Sequence, residues 1–288
     1  MISGALLLEK DESIGDIYKK RVSRIFAALL IFSLFQYSRQ ISNNTAPAQL
    51  SYFIEHFYTD PIIIPYWFLY QYISFLIILP FLRKMVRRME RRDYIYLMLI
   101  WLFLEFFKSL IIFLTDKSLT GNISCALLSL SIFYPLMGDF LENKGQFINK
   151  TKTILVFGAI ISVTCVLLSS IFTWYEIKKT GDLMTQRWLG VFVAVPTVFI
   201  FFSVKIMTGK MRLSQFSEKL ICLIGGCTFG IYLFEGQLRS LFLQRIVNIL
   251  TPHISSFLAC LLGIPIIILI GTMIVYCLKR IPVINKFL

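Results

Sequence analysis

Apolar residues along this chain gather in long runs, and each run is closed by a short polar stretch. Runs of about 20 apolar residues with few charges predict membrane-crossing helices, because at about 1.5 Å per residue they span the hydrocarbon core. The pattern places such runs near residues 22–41, 62–82, 94–114, 123–141, 153–174, 187–204, 220–242 and 254–278. Barrel strands would alternate apolar and polar at every second residue. No such alternation is present. A backbone in lipid must satisfy its own hydrogen bonds, so the runs are expected as helices. The predicted fold class is all-α, a polytopic integral membrane helix bundle of about eight crossings.

The polar stretches alternate in charge. Lys10, Lys19, Lys20, Arg21 and Arg24 precede or open the first run, whereas residues 42–61 contain no Lys or Arg. Arg83, Lys84, Arg87, Arg88, Arg91 and Arg92 follow the second run, and only Lys117 follows the third. Lys144, Lys150 and Lys152 come next, then Lys178 and Lys179 in a poorer stretch, then Lys205, Lys210, Arg212 and Lys219. The following loop is nearly neutral, with Arg245 just before it, and Lys279, Arg280 and Lys286 close the chain. Cytoplasmic loops carry the excess of Lys and Arg, so both termini are expected in the cytoplasm. No loop is long enough for a soluble domain, and residues 1–288 read as one membrane domain.

Composition agrees with this picture: 57% of the residues are hydrophobic, more than a soluble exterior needs. The net charge of +13 invites a nucleic-acid reading. The cations sit between the apolar runs, where orientation alone accounts for them, so no nucleic-acid partner is expected. Cys125, Cys165, Cys222, Cys227, Cys260 and Cys277 all lie within apolar runs and lack the paired spacing of a zinc site. They read as small hydrophobes, and no metal is expected.

Within the longest outer loop, Leu50, Phe53, Ile54 and Phe57 share one helical face, which predicts a short amphipathic helix at the membrane surface. Ionisable groups inside the runs are costly and raise functional questions. Glu105 falls roughly 17 Å into its run, and Lys108 lies one turn further along the same face, where the two can pair. Glu235, roughly 22 Å into its run, and Arg239 have the favoured Glu-first spacing of a second pair. Trp67, Tyr70, Gln71 and Ser74 form a stripe at helical spacing, either the wall of a polar cavity or an interfacial belt. Gly226 and Gly230 permit close helix approach. Neither His56 nor His253 lies in an apolar run, and no nucleophile triad, metal-ligand spacing or phosphate-binding glycine loop is legible.

Three stretches together resemble the membrane acyltransferase-3 family, which includes O-acetyltransferases of cell-surface polysaccharides. Lys19 to Ile25, KKRVSRI, is similar to the family's basic motif entering its third helix. YWFLYQYISFLIILPFLRK is similar to its WFL segment, ending in Pro80 and Arg83. Cys227 to Glu235, CTFGIYLFE, is similar to its late FGIYL motif, although many relatives carry His where Glu235 stands. The opening residues, MISGALLLEK, are too short to cross a bilayer and poor as a signal peptide. Ser3 and Gly4 match the family stretch that closes the second helix.

The resemblance implies that the first helix and most of the second, with the catalytic His, lie outside these residues. Met1 is then an internal methionine taken as a start, or the product of a truncated gene. It also implies transfer of an acyl group, most often acetyl, from cytoplasmic acyl-CoA to a hydroxyl or amino group of a glycan at the outer side of the plasma membrane. Acetyl-CoA would be a co-substrate, with no bound cofactor. Lys20, Arg21 and Arg24 are the expected donor-binding residues, with Trp67, Tyr70, Gln71, Glu105 and Glu235 expected along the cavity. No catalytic residue is assigned. Two other readings stand beside this one. One is a multi-pass transporter of a glycan or small solute, with Glu105 and Glu235 coupling protons. The other is an inactive remnant.

Overall fold

The computed structural model describes residues 1–115, 129–144, 151–181, 189–210 and 214–281, and among them it is helical without strands. The helices are α1 (Ile2–Leu7), α2 (Ile14–Ser42), α3 (Leu50–Thr59), α4 (Ile64–Val86), α5 (Arg91–Thr115), α6 (Leu130–Asp139), α7 (Thr151–Thr180), α8 (Leu189–Lys210), α9 (Gln215–Leu233), α10 (Glu235–Leu238), α11 (Gln244–Leu250) and α12 (Ser256–Leu278). Seven of them are long and apolar enough to cross a membrane: α2, α4, α5, α7, α8, α9 and α12. The predicted crossing over 123–141 falls partly outside the described residues. What is described of it is α6, continued as a π-helical turn over Phe140–Lys144.

Helix starts follow local chemistry. The hydroxyls of Ser13, Ser214 and Ser255 accept from the backbone N–H groups of Asp16, Ser217 and Leu258, satisfying donors that the first turn leaves open. Proline lies inside α4 (Pro80), α6 (Pro135), α8 (Pro196) and α12 (Pro265). Membrane helices tolerate proline because neighbouring groups re-satisfy the freed backbone.

The contacts divide the chain into two compact units. The first comprises Met1–Asp11 and Ile78–Arg212. In it, α1 packs against α6, and glycines set the distance. A Cβ on Gly4 would overlap the Pro135 carbonyl, and one on Gly138 would overlap the Met1 carbonyl. Small residues are what let helix backbones meet in lipid, where hydrophobic association between helices is weak. α7 and α8 pack along each other, and Trp101 of α5 stacks on Phe133 of α6 with ring centroids 4.0 Å apart.

The second unit comprises Glu12–Ile77 and Leu213–Leu288. Its core joins Ala28, Leu29 and Phe32 of α2, Tyr66 and Leu69 of α4, Cys227 and Leu233 of α9, and Val275 of α12. The predicted surface helix is α3. Phe53 is buried beside Tyr37, Phe57 lies beside Tyr70, and Leu50 and Ile54 remain exposed.

Two sequence expectations need correction. The crossing predicted over 220–242 is not continuous, because α9 ends at Leu233 and Phe234 leaves helical geometry at φ −97°, ψ 8°. The Tyr66 hydroxyl donates to the Leu233 carbonyl at 2.9 Å, taking an acceptor that the helix end leaves open. Tyr232 reciprocates by donating to the Pro65 carbonyl. Arg83, read as a loop cation, belongs to α4 and is buried, with Nε donating to the Leu7 carbonyl at 2.9 Å. That carbonyl is again a helix-end orphan, here of α1.

Candidate functional site

The basic motif begins on a π-helical turn, Ile17–Val22, within α2, and its Arg24 lies in the regular helix that follows. Such wide turns are rare and recur at functional sites. Two of its three candidate cations are already engaged. Lys20 pairs with Asp16 at 2.8 Å. Arg21 grips Glu12 through two hydrogen bonds, Nη2 to Oε1 at 2.7 Å and Nε to Oε2 at 3.2 Å. The fork is the bidentate geometry in which Arg holds any planar oxyanion. Arg24, one turn beyond Arg21, is exposed.

Around the break at Phe234 the second unit gathers polar groups that the sequence analysis left unremarked. Gln36 of α2 is buried beside Gln237 of α10. The Gln237 amide donates to the Phe234 carbonyl and accepts from Arg39 Nη1, each at 3.1 Å. Ser33, one turn before Gln36, is fully buried and its hydroxyl has no hydrogen-bond partner among the described residues. The signal was present: Ser33, Gln36 and Gln40 recur along one stretch of an apolar run, where each polar group has a cost. Glu235 is half-buried at the start of α10 and makes no ion pair with Arg239, which is exposed. The turn at Phe234 and the π-helical turn at Arg239–Leu243 replace the regular spacing on which that pairing depended.

The aromatic stripe divides. Tyr70 is half-buried and donates to the Phe57 carbonyl at 2.7 Å, which ties α4 to α3. Trp67, Gln71 and Ser74 lie on an exposed face of α4.

In the first unit, Glu105 and Lys108 form no ion pair with each other. Lys108 is exposed, whereas the half-buried Glu105 carboxylate lies close to Gly190 of α8, against the position a Cβ would take. A buried polar centre escaped the sequence analysis. Asp139, at the end of α6, is fully buried and accepts from the Tyr94 hydroxyl at 2.5 Å and from Asn143 Nδ2 at 2.8 Å. Nearby, Lys205 Nζ donates to the Leu141 and Glu142 carbonyls at 2.9 and 3.0 Å and pairs with the Glu142 carboxylate. An Asp within an apolar run was the available clue.

The family model of acyltransferase-3 proteins, described as an acyltransferase domain, matches residues 1–276. No curated protein and no solved structure matches the chain.

Proposed function

Because the chain belongs to the acyltransferase-3 family, a family of acyltransferases, we propose that this multi-pass membrane enzyme moves an acetyl group from cytoplasmic acetyl-CoA to a cell-surface glycan. The family match over nearly the whole chain carries this reading. In the reaction, a glycan hydroxyl oxygen attacks the thioester carbonyl and the carbon–sulfur bond breaks. A general base takes the hydroxyl proton and returns it to the departing thiolate, so that CoA leaves as the thiol. The plasma membrane is the setting that reaches both substrates.

The basic turn of α2 supports a donor site. Arg24 is exposed one turn from Arg21, and Arg21 already holds a carboxylate in the two-pronged manner suited to phosphate. We assign Arg24 the first contact with CoA phosphates, with Lys20 and Arg21 beside it. In the second unit Trp67, Tyr70, Gln71 and Glu235 remain proposed cavity residues, and Glu105 remains one in the first unit.

The test is reconstitution of the protein with labelled acetyl-CoA on the cytoplasmic side and glycan on the other. The expected result is alkali-labile label on the glycan. Movement of unlabelled glycan or solute across the membrane without acyl transfer would overturn the reading in favour of a transporter.

A further inference from the structure

α9 and α12 pack together, and where the middle of α9 meets the end of α12 they frame a groove of about 350 Å³. Cys222, Gly226 and Cys227 line one side, and Tyr276, Lys279 and Arg280 the other. Among the described residues no carboxylate lines it. Lys279 Nζ donates to the Gly226 carbonyl at 2.5 Å, and the Arg280 guanidinium lies over the Tyr276 ring, 5.3 Å from its centroid. A Cβ on Gly226 would meet nothing within 4 Å, so the groove stays open beside the ammonium.

Two cations held at one lip repel each other, and an anion between them relieves that repulsion. Each also keeps unused donors. The ammonium has three and gives one to Gly226, while the guanidinium has five and lies over the Tyr276 ring. A tetrahedral oxyanion matches such a pair, with the guanidinium supplying a fork and the ammonium a point charge. The groove lies at the end that the loop charges predict as cytoplasmic. Its volume is within the range of small-molecule sites.

We infer that this groove is a phosphate-binding subsite, with Lys279 and Arg280 as its cations and Tyr276 as the platform that orients Arg280. The nucleotide phosphates of acyl-CoA and the headgroup of an anionic lipid share this chemistry. Choosing the first source rests on the proposed function, whereas the phosphate chemistry does not.

Cys222 is exposed on the groove wall and reports its occupancy, and Cys260, exposed near the opposite end of α12, serves as the reference. The experiment follows maleimide modification of both cysteines by mass spectrometry in nanodiscs of neutral phosphatidylcholine. Adenosine 3′,5′-bisphosphate, at ten times its Kd, is expected to slow Cys222 modification about tenfold and leave Cys260 unchanged. Lys279→Ala with Arg280→Ala should abolish that protection. The charge-keeping pair Lys279→Arg with Arg280→Lys should retain much of it, with normal Cys260 reactivity in both variants reporting the fold.

Protection by phosphatidylglycerol nanodiscs without nucleotide, lost in the same alanine variant, would support the subsite with lipid as its source. Equal Cys222 rates in all samples, or protection that survives loss of both cations, would overturn it. Protection in a protein that transfers no acyl group would leave the phosphate subsite standing without the proposed transfer from acetyl-CoA to glycan.

Discussion

The Tyr94 hydroxyl donates to the Asp139 carboxylate at 2.5 Å, and neither side chain is open to solvent. The bond joins α5 to α6 across 45 residues of chain. Hydrogen bonds to a buried carboxylate are stronger than neutral ones, and losing a partner leaves the charge short of donors. Tyr94→Phe is therefore expected to destabilise the protein by about 2 kcal/mol. Asp139→Ala should cost more, since it also orphans Asn143. Thermal melts of the two single variants and the double variant in detergent form a cycle, and additive effects would show that the pair is not coupled.

Close backbone approach at Gly4 leads to a second expectation. Gly4→Ala puts a methyl group into the Pro135 carbonyl, which is rigid backbone and cannot step aside as a side chain would. Overpacking of this kind costs about 1–3 kcal/mol. Gly15→Ala, whose Cβ would approach only the Ser13 hydroxyl at an ordinary 3.9 Å, is the control. Proteolysis of α1 should accelerate in Gly4→Ala alone, and equal rates in the two variants would refute the packing argument.

Orientation follows from the loop charges. Asn44 has a positive φ of 56°, which suits Asn better than Cys, so Ala48 is the better reporter in the same loop. In a background stripped of its six native cysteines, Ala48→Cys should react with an impermeant thiol reagent on intact cells. Met89→Cys should react only after lysis. The reverse pattern would invert the arrangement.

At the basic turn, the pairing of Arg21 with Glu12 separates two roles that the sequence treated alike. Arg21→Ala removes a two-pronged ion pair and should lower stability by about 0.5–1 kcal/mol, since the pair is partly exposed. Arg24→Lys keeps the charge and loses the fork, so insertion should persist while the Kd for acyl-CoA rises about tenfold. An unchanged Kd in a correctly inserted Arg24→Lys protein would leave Arg24 with orientation alone.

Reciprocal bonds between Tyr66 and Leu233 and between Tyr232 and Pro65 hold the helix break. Tyr66→Phe leaves the buried Leu233 carbonyl without that donor and should cost about 1–2 kcal/mol. Amide exchange should rise at Phe234 and Glu235 before it rises in the middle of α9. Uniform exchange along α9 and α10 would argue that the tyrosine does not hold the break.

Apolar run length and periodicity are local quantities, and they sufficed for the helical class, for seven helices long and apolar enough to cross a membrane and for the short helix α3. The basic turn, the WFL segment and the FGIYL stretch were legible because a motif is also local. What run length could not register was where a helix stops inside an apolar stretch. α9 ends at Leu233 because Tyr66, 167 residues away, supplies a hydrogen bond there. Arg83 is buried, although it looks like a loop cation, because its partner is the Leu7 carbonyl, 76 residues distant. Glu105 and Lys108, and Glu235 and Arg239, have the spacing of ion pairs and form none, since local helix geometry and neighbouring helices decide what each charge meets. In lipid every polar group needs a partner, and only the tertiary structure determines which distant group provides it.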